Sequence, residues 1–362
     1  MCRPVAVAIA ALLLSTASSV EAQAPRRIFI RGTYATPRPF WDTGARLDQH
    51  GINAIFVHYQ SLDAAMMKRA RAEGAKVFAE FGTLNASYGL AEHPGAHPID
   101  ETGKPAPKAT WFMGVCPNHK GFRQARMKAL RRLLEAHDVD GVWMDYLHWH
   151  AQFEDPYPVF IKTCFCDTCL AAFQTAAGRT VPGDTVPKRA QWILRHAPSK
   201  WEDWRVSVLV DWAREIRGLV KSIRPQALVG NYHAAWKDDD FWGARRRCLG
   251  LDFQALAPHV DVFSPMPYHE RSGMPVAYVA DFVRWFSERL PFSTEPGKYP
   301  QLWPIVQASD TPAADFEQAL RSATAGKSTG VMMFTLGSVV ADPAKLAAMK
   351  RFYLPLGGVT TP

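Results

Sequence analysis

The stretch Asp138-Val139-Asp140-Gly141-Val142-Trp143-Met144-Asp145-Tyr146-Leu147-His148-Trp149-His150 concentrates side chains able to do chemistry. Asp140-Gly141 reads as a turn and Val142-Trp143-Met144 as a strand, which delivers Asp145 to the strand's C-terminal mouth. A carboxylate there suits hydrolysis of an acetal, whose oxocarbenium-like centre must be stabilised or trapped from one side. That chemistry needs a second carboxyl group, about 5–5.5 Å away if configuration is retained and about 6.5–9.5 Å if it is inverted. Glu80 is the first candidate, because its neighbours Phe78, Ala79 and Phe81 make an apolar setting that raises a carboxyl pKa towards that of an acid. Glu80 can instead pair with Arg31 in a purely structural role. Glu154, in the loop past Asp145, is the runner-up for proton donor, and Glu270 and Glu295 are weaker.

Polar side chains also end the other apolar runs: Tyr34, His58, Asn231, His233, Tyr268, His269 and Gln307. With His148 and His150 projecting beside Asp145, and Trp111, Trp149 and Trp236 as stacking platforms, they suit a ligand with many hydroxyls and flat apolar faces.

Four cysteines form a second group. Cys164-Phe165-Cys166-Asp167-Thr168-Cys169 is dense, and Cys116 lies in the preceding long loop. Four thiolates can surround one zinc tetrahedrally, whereas an exported chain can oxidise the same residues to two disulfides. Cys-x-x-Cys is a favoured chelate and Cys-x-Cys a poor disulfide, so spacing favours a structural zinc. Cys248 is left over and reads as a small buried apolar side chain.

The elements that must position these groups are short β-rich runs at 27–34, 53–59, 76–82, 139–147, 227–232, 260–268, 301–308 and 330–336. Between them lie amphipathic stretches at 64–73, 120–137, 201–223, 276–289 and 313–325. Eight strands alternating with helices predict a (β/α)8 TIM barrel, one domain over 26–355. Strand starts three and four stand 63 residues apart, and four and five 88. The excess enlarges the loops after strands three and four, on the face where barrel enzymes place their chemistry.

The 362 residues carry 48% hydrophobic and 21% charged side chains, which excludes disorder and fibrous classes. A net charge of +8 is dispersed, with Arg245-Arg246-Arg247 the one basic triple, so no nucleic-acid partner is expected. The apolar run at 5–14, preceded by Arg3 and followed by small residues, reads as a signal peptide over 1–22. No second apolar run is long enough to span a bilayer, so the expected location is secreted or periplasmic without membrane insertion. Phosphate-binding, dinucleotide, serine-elbow and HExxH motifs are absent. Oligomeric state is left open.

Several motifs carry a family resemblance. Asp140-Gly141-Val142-Trp143-Met144-Asp145-Tyr146 resembles strand four of glycosidase-like barrels, the α-amylase relatives among them, in which this aspartate is the nucleophile. Glu80-Phe81-Gly82, Val115-Cys116-Pro117-Asn118 and Phe263-Ser264-Pro265-Met266-Pro267-Tyr268-His269, with the Phe-Cys-x-x-Cys-Leu segment, resemble a group of bacterial glycosyl hydrolases over most of residues 28–353. The lone cysteine followed by Cys-x-Cys-x-x-Cys resembles the zinc cluster of the family 42 β-galactosidases. The resemblance implies a barrel with a carbohydrate site. The resulting expectation is an exported glycoside hydrolase with Asp145 as nucleophile or base and Glu80 as acid. The alternatives are a non-catalytic carbohydrate-binding barrel, or a metal-dependent glycan esterase or deacetylase. The last needs an aspartate plus two of His58, His148, His150, His233 and His269 around one ion.

Overall fold

The computed structural model describes residues 28–357; the signal segment expected at 1–22 lies outside the described residues. Nine parallel strands form one curled sheet: β1 (Ile30–Tyr34), β2 (Ala54–His58), β3 (Lys76–Gly82), β4 (Gly141–Asp145), β5 (Leu228–Ala234), β6 (Val262–Met266), β7 (Gln301–Leu302), β8 (Ile305–Gln307) and β9 (Gly330–Phe334). Their order is β8-β9-β1-β2-β3-β4-β5-β6-β7. The run expected as a single strand at 301–308 is thus two, so the sheet counts nine strands rather than eight.

The break has a chemical cause. Pro304 has no backbone N–H to give to a ladder. The chain pairs with β6 up to Trp303, whose N–H donates to Phe263 O at 2.9 Å, and then turns to β9, where Pro304 O accepts from Met332 N at 2.8 Å. One segment therefore meets both ends of the sheet and draws them together.

Alternation along each strand separates two cores. Ile55, Val57, Val77, Phe81, Val142, Met144 and Phe263 face outwards into the larger core. The helices around it are α1 (Ala64–Ala72), α2 (Lys120–Ala136), α3 (Asp167–Ala177), α4 (Val186–His196), α5 (Pro198–Ile223), α6 (Ala277–Ser287), α7 (Ala313–Ser322) and α8 (Pro343–Leu356). Phe56, Phe78, Trp143 and Trp303 face inwards. Trp143 and Trp303 stack at 5.5 Å, and Phe78 meets Trp143 edge-on at 4.7 Å. Glycine makes room for them: a Cβ on Gly230 would lie 2.1 Å from Trp143 Cε2. The indole N–H of Trp143 is satisfied by Ser264 Oγ at 3.0 Å. A packed floor of aromatic rings thus fills the sheet's interior, and the residues above it line an open mouth.

The two enlarged loops follow β3 and β4. The second holds a short hairpin (Ala151–Gln152 with Val159–Phe160) and the unexpected helices α3 and α4. Helix α3 begins at the cysteine triplet, with Cys166 as its N-cap. Among the described residues, no helix is long and apolar enough to cross a membrane.

Candidate active site

The inward positions at the strands' C-terminal ends are Tyr34 on β1, His58 on β2, Glu80 on β3, Asp145 on β4 and Tyr232 on β5. Register sets their heights: His58 is paired with Glu80, and Gly82, one step above Glu80, with Asp145. Glu80 is 2% exposed and lies beneath Asp145. Tyr34 donates its hydroxyl to Glu80 Oε2 at 2.6 Å, and the Glu80 carboxyl is a close electrostatic neighbour of the Asp145 carboxyl. Neighbouring buried carboxyls disfavour each other's ionised form, because like charges repel where water is excluded. Burial, with Glu80 and Glu154 nearby, holds the pKa of Asp145 well above the usual carboxylate range, against the opposing bond from Tyr146 N at 2.8 Å. Burial also raises Glu80, while the Tyr34 hydroxyl and His58 pull it back. Arg31 faces away and binds Gly51 O at 2.6 Å, so the Glu80–Arg31 pairing allowed by the sequence does not form.

Above this pair opens a cleft of about 650 Å³ lined by Tyr34, Trp111, Asp145, Tyr146, Glu154, Asp155, Tyr232, Met266, Tyr268, Arg271, Ile305 and Phe334. Glu154 arrives from the hairpin loop and meets Arg271 Nη1 at 2.9 Å. Burial raises its pKa and the Arg271 guanidinium opposes that rise. Gln307 fixes Arg271 by accepting its backbone N–H at 3.1 Å, and its own amide donates to Ser309 O at 2.8 Å. Tyr34 and Tyr146 have pKa values raised by burial and by the carboxyls, so both remain hydroxyl donors.

Of the residues singled out in the sequence, Tyr34, Trp111, Asp145, Glu154 and Tyr268 line the cleft. His58 stands behind the wall, with Nε2 at 3.1 Å from the Tyr88 hydroxyl. His148 is buried between Phe112 and Phe153, bonds through Nδ1 to Trp149 O at 2.8 Å, and has its pKa pushed down to about 4 by burial. His150 ties the two long loops together, accepting from Gly114 N at 3.0 Å and reaching Pro107 O at 2.8 Å. Asn231 and His233 lie on the outward face of β5. Asn231 donates to Met144 O at 3.1 Å, and His233 sits among Phe253, Phe263 and Phe286, its pKa pushed down to about 3. Trp149 and Trp236 are buried, the latter against Phe153, Phe160 and Phe241. His269 and Gln307 are buried behind the rim. His148, His150 and His233 thus hold separate partners, and among the described residues no aspartate with two histidines gathers around one point.

Tyr232, Tyr146 and Arg271 were not singled out from the sequence. Tyr232 was legible: one inward step (two residues) from Gly230, which must be small against Trp143, strand alternation selects it over Asn231 and His233. Tyr146 depends on a turn with φ +54°, and Arg271 on a loop fold; local sequence announces neither.

Cys116, Cys164, Cys166 and Cys169 converge where the two long loops meet. All four sulfurs lie within 4.8 Å of one another, with Cys116 Sγ 3.4 Å from Cys169 Sγ and 3.7 Å from Cys166 Sγ. None is disulfide-bonded. Thiolates about 2.3 Å from a tetrahedral zinc stand about 3.8 Å apart, so the donor set fits that ion. Asn118 Nδ2 and Ile99 N each donate to a cysteine sulfur at 3.3 Å, as outer partners of metal-bound thiolates do.

No family model matches the chain, and no curated protein does. Its fold is that of glycoside hydrolases with TIM-barrel-like domains. The glycoside hydrolase domain of PgaB (BpsB) from Bordetella bronchiseptica superposes with a TM-score of 0.65 at 14% identity, over 90% of this chain and 99% of that domain. The catalytic domain of a Paenibacillus polymyxa β-amylase gives 0.62 at 12%, over 91% and 98%. Gan42B, a family 42 β-galactosidase, gives 0.62 at 13% over 93% of this chain and 57% of its own length.

Proposed function

We propose that the protein is an exported glycoside hydrolase acting on an oligo- or polysaccharide, with Asp145 and Glu154 as the carboxyl groups that meet the substrate. One observation carries this reading: Asp145, beside the Glu80 carboxyl, and Glu154, against the Arg271 guanidinium, line the same cleft. Burial and the neighbouring Glu80 carboxyl raise the pKa of Asp145, so it is the group that protonates a glycosidic oxygen. Glu154 faces Arg271, whose charge opposes the burial-driven rise of its pKa and so favours the carboxylate that would stabilise the oxocarbenium-like centre or activate water. Tyr34, Tyr146, Tyr232 and Trp111 supply hydroxyl donors and ring faces for a sugar. The roles differ from those expected from sequence: Glu80, off the cleft wall, sets the proton on Asp145 rather than delivering its own.

In this reading the fold is a (β/α)8 barrel over residues 26–355, with Gln301–Gln307 counted as one broken strand. The four cysteines hold a structural zinc that pins the two long loops, and its closed thiolate shell leaves no position for substrate.

The test is digestion of a glycan panel by wild type, Asp145→Asn and Glu154→Gln. Wild type should release products, and Asp145→Asn should lower kcat by about 10³-fold or more with the fold intact, as expected on removing a group that acts on transition-state charge. Near-wild-type turnover in Asp145→Asn would sink the assignment. Saturable glycan retention with no hydrolysis would replace it with the carbohydrate-binding reading.

A further inference from the structure

His269 and Glu270 lie in the turn after β6, and Asp315 stands in the first turn of α7. A ring nitrogen of His269 and one carboxylate oxygen from each acid lie within 4.8 Å of one another. Yet nothing joins them. His269 is 2% exposed, its Nε2 faces the Thr311 hydroxyl at 3.5 Å, and its Nδ1 has no hydrogen-bond partner among the described residues. A buried polar nitrogen left unpaired is costly, and in a native fold it calls for a partner, a water or an ion.

We propose that His269, Glu270 and Asp315 form a divalent-cation site at the rim of the barrel mouth, separate from the cysteine cluster. The geometry is that of donors standing around a common centre: close enough to share an ion and not paired with one another. One imidazole and two carboxylates suit a first-row transition ion such as Mn²⁺ or Zn²⁺, with Thr311 or water completing the shell. Glu270 is exposed, so an ion has a path in from solvent. The consequence is mechanical. An ion here fastens the β6 turn, which carries Tyr268 and Arg271 into the cleft, to the start of α7. The inference is independent of the hydrolase reading.

Mn²⁺ is the probe, because its preference for oxygen and imidazole ligands keeps it away from the thiolates. Titration of the full-length purified protein, followed by loss of the free-ion electron paramagnetic resonance signal, should show one saturable site per chain. Mn²⁺ should also raise Tm by binding only the folded state. The double variant Glu270→Gln/Asp315→Asn, which preserves side-chain size, should bind at least tenfold more weakly and lose the Tm increment while its metal-free Tm stays near wild type. No saturable binding below about 1 mM, or a loss of less than tenfold in the double variant, overturns the proposal. His269→Gln, which keeps a polar side chain, must also weaken binding at least tenfold, failing which the imidazole is not a ligand and the site as proposed falls.

Discussion

The Tyr34 hydroxyl, itself on the cleft wall, donates to Glu80 Oε2 across 2.6 Å, so the carboxyl that lies beneath Asp145 is held in place by a group that also faces the cleft. The two carboxyls behave as one titrating unit. Removing the Glu80 charge leaves Asp145 with less negative potential around it, which lowers its pKa. If Asp145 is the proton donor, Glu80→Gln should therefore move the basic limb of the kcat/KM profile to lower pH and keep the limb. If Glu80 itself delivers the proton, the limb disappears and substrates with poor leaving groups suffer most. A pH–rate profile on two aryl glycosides of different leaving-group pKa separates these outcomes.

The same groups leave a mark on stability. Asp145 has a folded-state pKa raised above its unfolded value, so its contribution is fully present below about pH 4 and is lost as pH rises through the folded pKa. Between those values the native state binds more protons than the unfolded chain, and stability falls with pH. Asp145→Asn cannot lose that proton. The variant should match wild type near pH 4 and exceed it at pH 8, by about 1.4 kcal/mol for each unit of raised pKa. Urea denaturation of both proteins at the two pH values measures the difference, and equal stabilities at pH 8 would mean that the fold does not raise the Asp145 pKa.

Much of this arrangement was legible in the sequence because strands announce themselves by composition. The apolar runs found seven strands directly, and Asp140-Gly141 placed Asp145 at the mouth of β4, where it stands. Pro304 split the remaining run, since a missing N–H changes which neighbour the chain can pair with. Side-chain direction was harder. His233 and Asn231 look chemical in sequence but alternate to the wrong side of β5, and His148 and His150 spend their nitrogens on backbone groups of the loops. Arg271 and Glu154 come from loops 117 residues apart, and no periodic pattern relates such residues before the fold brings them together.

The cysteine cluster gives a prediction that does not depend on the reaction. With four sulfurs converging and none bonded to another, purified protein should carry about one zinc per chain and release it to a chelator with about four newly titratable thiols. Because Cys116 and the triplet come from different loops, metal loss should free both, lowering Tm and exposing the segment around Trp111 to protease. Two intact disulfides with no metal, found by mass spectrometry, would replace zinc as the link between the loops.

Arg271 offers the sharpest check on Glu154. Its guanidinium is partly exposed and approaches Glu154 at 2.9 Å, while its backbone is held by Gln307. If Glu154 acts as a carboxylate, activity requires it deprotonated, and the acidic limb of the pH profile follows its pKa. Arg271→Met keeps the aliphatic stem but removes the counter-charge that opposes the burial-driven rise. The Glu154 pKa should climb, and the acidic limb should move to higher pH by about one unit or more, as expected for losing an opposite charge at this range. Arg271→Lys should restore part of the shift without the guanidinium's planar fork. At the plateau, well above the new pKa, kcat should recover towards wild type, because only protonation has changed. A uniform loss of kcat at every pH, with the limb unmoved, would instead make Arg271 a substrate contact and take Glu154 out of the reaction.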